Sequence, residues 1–166
     1  MYRAAIITLS DKGARGERED VSGQVLQDML EENGYTVVRR LLLPDEPEQL
    51  SSQLISLCDG GEADLILTTG GTGFAPRDQT PEATLAVIER QVPGIPEAMR
   101  YYSLQITPRG CLSRGVAGIR KNTLIINLPG SPKACRENLQ PVLPAVEHGL
   151  KMLLGTMQEC AVNAKD

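Results

Sequence analysis

Three short aliphatic runs punctuate the chain: YRAAIITL at residues 2–9, DLIL at 64–67 and TLIINL at 123–128. None alternates apolar with polar residues, so each reads as a strand buried on both faces. Residues 35–42 and 116–119 supply further strand runs. Between the strands the apolar spacing turns helical. Val25, Leu26, Met29 and Leu30 mark a helix over 21–32, and Leu50, Leu54, Ile55 and Leu57 mark one over 47–58. Thr80–Pro81–Glu82 has the form of an N-cap followed by Pro and an acid, and opens a helix carrying Leu85, Val87 and Ile88 to near Gln91. Another helix runs from Pro96 through Ile106. Ser131–Pro132 opens the last helical region, which Pro141 and Pro144 are expected to divide and Gly155 to end. Strands alternating with helices predict a three-layer α/β/α domain with a mostly parallel sheet and one antiparallel edge strand, here 116–119. Residues 1–155 form a single domain on this reading, and 156–166 a frayed tail.

A chain of 166 residues with 41% hydrophobic content can bury one real core. The net charge of -4 argues against a surface built for nucleic acid or an anionic membrane, and leaves room for a local basic pocket. Aromatic content of 3% and the absence of Trp argue against base-stacking platforms. Cys58, Cys111, Cys135 and Cys160 lie far apart and His148 is the one histidine, so no zinc spacing is present. No basic leader followed by an apolar stretch precedes the first strand, which predicts a cytoplasmic protein with reduced thiols serving as core or surface residues. His148, among Val146, Leu150 and Leu153, reads as a partly buried packing residue.

In an open parallel sheet, ligands bind beyond the carboxyl ends of the strands. Four loops leave those ends: 10–20 (SDKGARGERED), 44–47 (PDEP), 68–79 (TTGGTGFAPRDQ) and 129–131 (PGS). The third is unusual. It lacks G-K-[ST], its Gly70, Gly71 and Gly73 do not fit G-x-G-x-x-G, and seven residues separate Gly73 from Pro81. Its glycines still let backbone N–H groups approach a ligand, and Thr68, Thr69 and Thr72 carry hydroxyls. Asp78 is either an Asx turn that prepares the next helix or a carboxylate beside phosphate oxygens, where Mg²⁺ would offset charge. Asp45 is either part of a capping box with Glu48 or a member of the same site. Arg77 suits phosphate or solvent. Ser10 and Asp11 suit a turn or a ligand. Pro129, Gly130 and Ser131 place a second helix N-terminus on this edge. Lys133, Arg114 and Arg120 are candidate anion partners or surface charges, and residues 17–20 (ERED) read most simply as a solvated loop.

Those residues carry a resemblance. ITLSD at 7–11, GEREDVSG at 16–23, LPDE at 43–46, LTTGGTGFAPRDQTPEAT at 67–84, GIPEAMR at 94–100 and LSRGVAGIRKNTLIINLPGSPKA at 112–134 resemble the MogA/MoaB family of molybdopterin adenylyltransferases. The resemblance covers nearly the whole chain. It implies a three-layer α/β fold, commonly trimeric, that binds molybdopterin and MgATP and joins AMP to the terminal phosphate of molybdopterin. It also implies hand-over of the product to a molybdate-insertion protein, and no nucleic acid or membrane partner. The family's two critical aspartates map to Asp45 and Asp78, which the resemblance makes the catalytic pair and candidate Mg²⁺ ligands. Ser10, Asp11, Thr69, Gly70, Gly71, Thr72, Gly73, Arg77, Pro129, Gly130 and Ser131 map to substrate and nucleotide contacts. Ala75 and Gln79 depart from the family pattern, where Ser and Val are common. A binding-only paralogue that carries molybdopterin without turnover is the alternative.

Overall fold

The computed structural model describes residues 1–156; the tail beyond, with Cys160, lies outside the described residues. In chain order the elements are β1 (Arg3–Leu9), α1 (Asp11–Ala14), α2 (Val21–Glu32), β2 (Thr36–Leu43), α3 (Pro47–Asp59), β3 (Leu65–Thr69), α4 (Thr80–Leu85), β4 (Arg90–Gln91), α5 (Gly94–Leu104), a 3₁₀ turn (Pro108–Leu112), β5 (Ala117–Arg120), β6 (Thr123–Leu128) and α6 (Pro132–Leu153).

The strands form one six-stranded sheet in the order β2-β1-β3-β6-β5-β4. β2, β1, β3 and β6 run parallel, whereas β5 pairs antiparallel with β6 and β4 antiparallel with β5. The period-2 alternation of a strand sorts its side chains to the two faces. Ala4, Ile6, Leu65, Leu67, Leu124 and Ile126 meet Leu26, Leu30, Met99, Leu139 and Val146 from α2, α5 and α6. Ala5, Ile7, Ile66 and Ile125 meet Leu50, Leu54 and Leu57 from α3, with Ala83 and Val87. Both faces are covered, and this is why the central strands read as unbroken aliphatic runs. β2 lies at the edge; its Arg39 and Arg40 pair with Glu62 and Asp20, and such charges discourage further strand pairing.

Several local expectations give way to tertiary structure. The 116–119 run is not the edge: β4 lies outside it, with Glu89 N–H and Val92 N–H donating to Ile119 O and Ala117 O at 2.8 Å each. The helix from Thr80 therefore ends at Leu85 rather than near Gln91, because residues 89–92 satisfy their backbone on β5. Gln79, not Thr80, occupies its N-cap position, and Thr80 is buried as the first helical residue. Pro141 and Pro144 do not divide the last helix, which runs unbroken over Pro132–Leu153. Its buried stripe of Cys135, Leu139, Val142, Leu143, Val146 and Leu150 anchors the helix on both sides of the prolines. Pro141 is half-buried and Pro144 exposed, so neither ring displaces that packing.

Packing here outweighs two missing backbone N–H donors. Pro144→Ala restores one donor, and exposed Pro144 gives up little contact. Its expected effect is a stabilisation of about 1–2 kcal/mol, after allowing for the greater freedom of the unfolded chain. A thermal melt showing an unchanged or lower midpoint for Pro144→Ala would contradict this reading of the helix.

Candidate functional site

The four loops predicted from strand order meet in a cleft of about 590 Å³ at the carboxyl edge of β1, β2, β3 and β6. It sits where the chain, having placed β2 on one side of β1, places β3 on the other, the switch point at which α/β sheets open.

The first wall joins two loops through two aspartates. Ser10 caps α1 by accepting from Gly13 N–H at 3.0 Å, the turn role considered for it from sequence. Asp11 N–H donates to Asp45 Oδ2 and Asp45 N–H donates to Asp11 Oδ1, both at 3.0 Å. This reciprocal pair fixes the 44–47 loop against the start of α1. Asp45 does not form a capping box. Glu46 is the N-cap of α3, without a side-chain cap bond, so helix capping does not account for the Asp45 carboxylate.

The glycine loop forms the second wall. Gly70 has φ +97° and its N–H donates to Leu128 O at 3.2 Å, while a methyl group added there would come 2.4 Å from Leu9 O. A side chain at Gly70 would therefore force β1, β3 and β6 apart. At Gly71 an added methyl would meet Thr80 Oγ1 at 2.3 Å and Asp45 Oδ1 at 3.6 Å, and at Gly73 it would meet Asp78 Oδ2 at 2.8 Å. Both aspartates thus lie against the same glycine backbone. The seven-residue gap explains how: the chain runs out through exposed Phe74, Ala75, Pro76 and Arg77, then returns. Asp78 Oδ2 accepts from Ala75 N–H at 3.0 Å, three residues back, so its carboxylate braces the excursion instead of forming the Asx turn expected ahead of the helix. Thr80 N–H then closes the loop on Gly71 O at 3.1 Å.

The third wall is the α6 N-terminus. Ser131 accepts from Ala134 N–H at 3.2 Å, and Ser22 Oγ donates to Gly130 O at 2.7 Å. Beneath these walls lies a buried polar frame. Asn127 Nδ2 donates to Thr68 Oγ1 and Thr84 Oγ1 at 2.9 Å each, tying β6 to β3 and α4. Thr69 Oγ1 donates to Pro129 O at 2.7 Å, so the hydroxyls of Thr68 and Thr69 bind protein partners.

Of the residues singled out from sequence, Ser10, Asp45, Thr69, Gly70, Gly71, Asp78, Gly130 and Ser131 line the cleft. Asp11, Thr72, Gly73, Arg77 and Pro129 stand behind or beside it. Residues 17–20 are more than a solvated loop, since Arg18, Glu19 and Asp20 line the cleft. Asp20 caps α2 by accepting from Gly23 N–H at 2.9 Å, and its carboxylate also accepts from Thr8 Oγ1 at 2.9 Å. The signal was Asp20 three residues before Gly23, an N-cap spacing obscured by the surrounding charges. Among the anion candidates, Arg77 pairs with Asp11 and Glu46, Arg120 with Asp59, and Lys133 with Glu137. His148 is exposed rather than partly buried. Cys58 and Cys135 are buried, and burial pushes each thiol up to about 11, which suits packing rather than nucleophilic chemistry.

Electrostatics separates the paired aspartates. Burial chiefly, with Asp11 and Asp78 as like-charged neighbours, raises the Asp45 carboxyl above its ordinary value. Arg77, by hydrogen-bonding Asp11, holds that carboxyl below its ordinary value. Among the described residues no group of three or more His, Cys, Asp or Glu could hold a metal ion. Asp45 and Asp78 nevertheless suit Mg²⁺, which is often held by one or two carboxylates together with substrate phosphates.

The fold and this cleft define a doubly wound α/β protein whose strand-end loops and helix N-termini meet in one cleft at the switch point of the sheet. The family model described as "Probable molybdopterin binding domain" matches residues 5–148. A molybdopterin adenylyltransferase of Helicobacter pylori is 42% identical over 163 residues, covering 97% of this chain and 92% of the relative. The protein of the same name from Escherichia coli is 42% identical over 154 residues, 89% of this chain and 79% of its own length. The solved structure of the molybdopterin biosynthesis enzyme MoaB from Thermus thermophilus superposes with a TM-score of 0.89 at 50% identity, covering 93% of this chain and 98% of that one. The chain belongs to the MogA/MoaB family of molybdopterin-binding domains.

Carboxyl titration by NMR tests the electrostatics. Asp45 is expected to titrate above 3.8 and Asp11 below it. Arg77→Ala removes a charge that favours both ionised forms, so both midpoints are expected to rise. An Asp45 midpoint below that of Asp11 would contradict the assigned burial and pairing.

Proposed function

We propose that this chain, with residues 1–155 as its single domain, is a molybdopterin adenylyltransferase acting in molybdenum cofactor biosynthesis. It transfers AMP from MgATP to the terminal phosphate of molybdopterin. An oxygen of that phosphate attacks the α-phosphorus of ATP, the bond from that phosphorus to the bridging oxygen breaks, and pyrophosphate leaves. One observation carries the reading: Asp45 and Asp78, distant in sequence, converge on the wall formed by Gly71 and Gly73.

The attacking group is already an ionised phosphate, so no general base is required. The chain has to align two polyanions and offset their charge. The backbone of Gly70 and Gly71 lets phosphates approach without side-chain obstruction. The α6 N-terminus favours negative charge beside Gly130 and Ser131. Asp45 and Asp78 would hold Mg²⁺, which when bound with ATP supplies charge neutralisation at the phosphates. Ser10, Asp11 and Arg77 fix the loop bearing Asp45, and Thr69 and Pro129 tie the glycine loop to the start of α6. No helix among the described residues is long and apolar enough to cross a membrane. A cytoplasmic homotrimer that hands its product to a molybdate-insertion protein completes the proposal, with neither nucleic acid nor membrane as partner.

The test is to mix purified protein, MgATP and molybdopterin and look for adenylylated molybdopterin by mass spectrometry. Asp78→Ala is expected to abolish product while keeping the circular dichroism spectrum and molybdopterin affinity of the parent. An active Asp78→Ala enzyme would overturn the assignment. Molybdopterin binding by the parent without product would instead establish the binding-only alternative.

A further inference from the structure

We propose that Arg114 is a positioning residue, the clamp that holds residues 73–78 in the shape that delivers Asp78 to the cleft, rather than a ligand for phosphate. Arg114 N–H donates to Thr72 O at 3.0 Å and its Nε donates to Gly73 O at 2.8 Å. Its Nη2 donates to Asp78 O, and its Nη1 pairs with Glu82 on α4. Each guanidinium nitrogen thus has a protein acceptor. One planar group joins the two ends of the excursion and also attaches them to the following helix.

The excursion needs such a clamp because core packing does little for it. Residues 74–77 are all exposed, and Phe74 is 71% exposed. Few buried contacts resist opening of such a segment. The clamp itself is well anchored. Arg100 Nη1 on α5 donates to Gly115 O at 3.0 Å and Ser113 O at 3.4 Å, on either side of Arg114. Gly115 lies close to β6, where an added methyl would come 3.1 Å from Asn127 O. Arg114 therefore links the glycine loop to α5 and the sheet. Glu82 already balances its charge, and the Arg114 hydrogen bond holds the Glu82 carboxyl below its ordinary value.

A lysine keeps the charge but lacks the rigid three-nitrogen fork. This separates a clamp from an anion ligand. The hold on the loop is a structural property, whereas its catalytic consequence rests on the adenylyl-transfer reading, so both are measured. Arg114→Lys and Arg114→Gln are compared with the parent by amide hydrogen exchange, thermal melting and steady-state kinetics. The amides of interest are Asp78 N–H, which donates to Ala75 O at 2.9 Å, and Thr80 N–H, which donates to Gly71 O at 3.1 Å. In both variants their exchange is expected to quicken about tenfold or more as the loop opens locally. Turnover is expected to fall about 100-fold through misplacement of Asp78, with Lys no better than Gln. KM for molybdopterin is expected to stay within about twofold, since Arg114 makes no uniform binding contact.

Parent-like turnover and exchange in Arg114→Lys would overturn the proposal, because charge alone would then suffice. So would a raised KM for ATP with unchanged turnover, the mark of a direct phosphate contact. Should Arg114→Gln fail to fold, Arg114→Lys decides alone. Should the parent form no adenylylated product, the functional reading falls and the exchange comparison still decides the clamp.

Discussion

Three parallel strands end within backbone contact of one another at Gly70. Its N–H bonds to Leu128 O at the end of β6, its Cα faces Leu9 O at the end of β1, and a methyl built on Gly130 would come 3.4 Å from its own Cα. A residue with φ +97° and no room for Cβ is the condition for this approach. The cleft depends on it. Were the strand ends further apart, the 44–47, 68–79 and 129–131 loops would open as separate surface turns.

The site then assembles outward from the sheet. Aliphatic strands buried on both faces supply a rigid floor, and Asn127, Thr68, Thr69 and Thr84 pin its rim with buried hydrogen bonds. Asp11 and Asp45 exchange backbone-to-carboxylate bonds across one side, while Arg114 gathers the other. Side chains are thus spent on holding backbone in place, and at Gly70, Gly71 and Gly130 the wall offers a ligand bare backbone. That division suits chemistry in which alignment and charge compensation matter more than proton transfer. It agrees with burial of Cys58 and Cys135 and with His148 lying exposed on α6, outside the residues that line the cleft.

Much of this was legible in the sequence, for identifiable reasons. Unbroken aliphatic strands and periodic helices reveal the layers because burial dominates them. Glycine-rich loops after strands reveal the functional edge because parallel connectivity puts those loops together. The misreadings arose where a distant partner decides local structure. The Thr80 helix stops early because residues 89–92 find β5, and α6 passes through Pro141 and Pro144 because its buried stripe outweighs two lost donors. Asp20 looked solvated within a charge run, yet Thr8 and Gly23 both claim its carboxylate. Arg114 read from sequence only as a candidate anion partner or surface charge, and nothing local marked it as a clamp. Its acceptors lie 41 and 36 residues away, and only the folded loop brings them to one side chain.

The central claim is that the four-loop cleft, and no other surface, receives the phosphates. A crystal structure of the protein with adenylylated molybdopterin tests this most directly. The expected result is phosphate density between the Gly70–Gly71 backbone and the start of α6, with Asp45 and Asp78 facing it. Ligand seated instead at the opposite edge of the sheet, in the cleft lined by Tyr2, Asn33, Glu147 and Lys151, would contradict the claim.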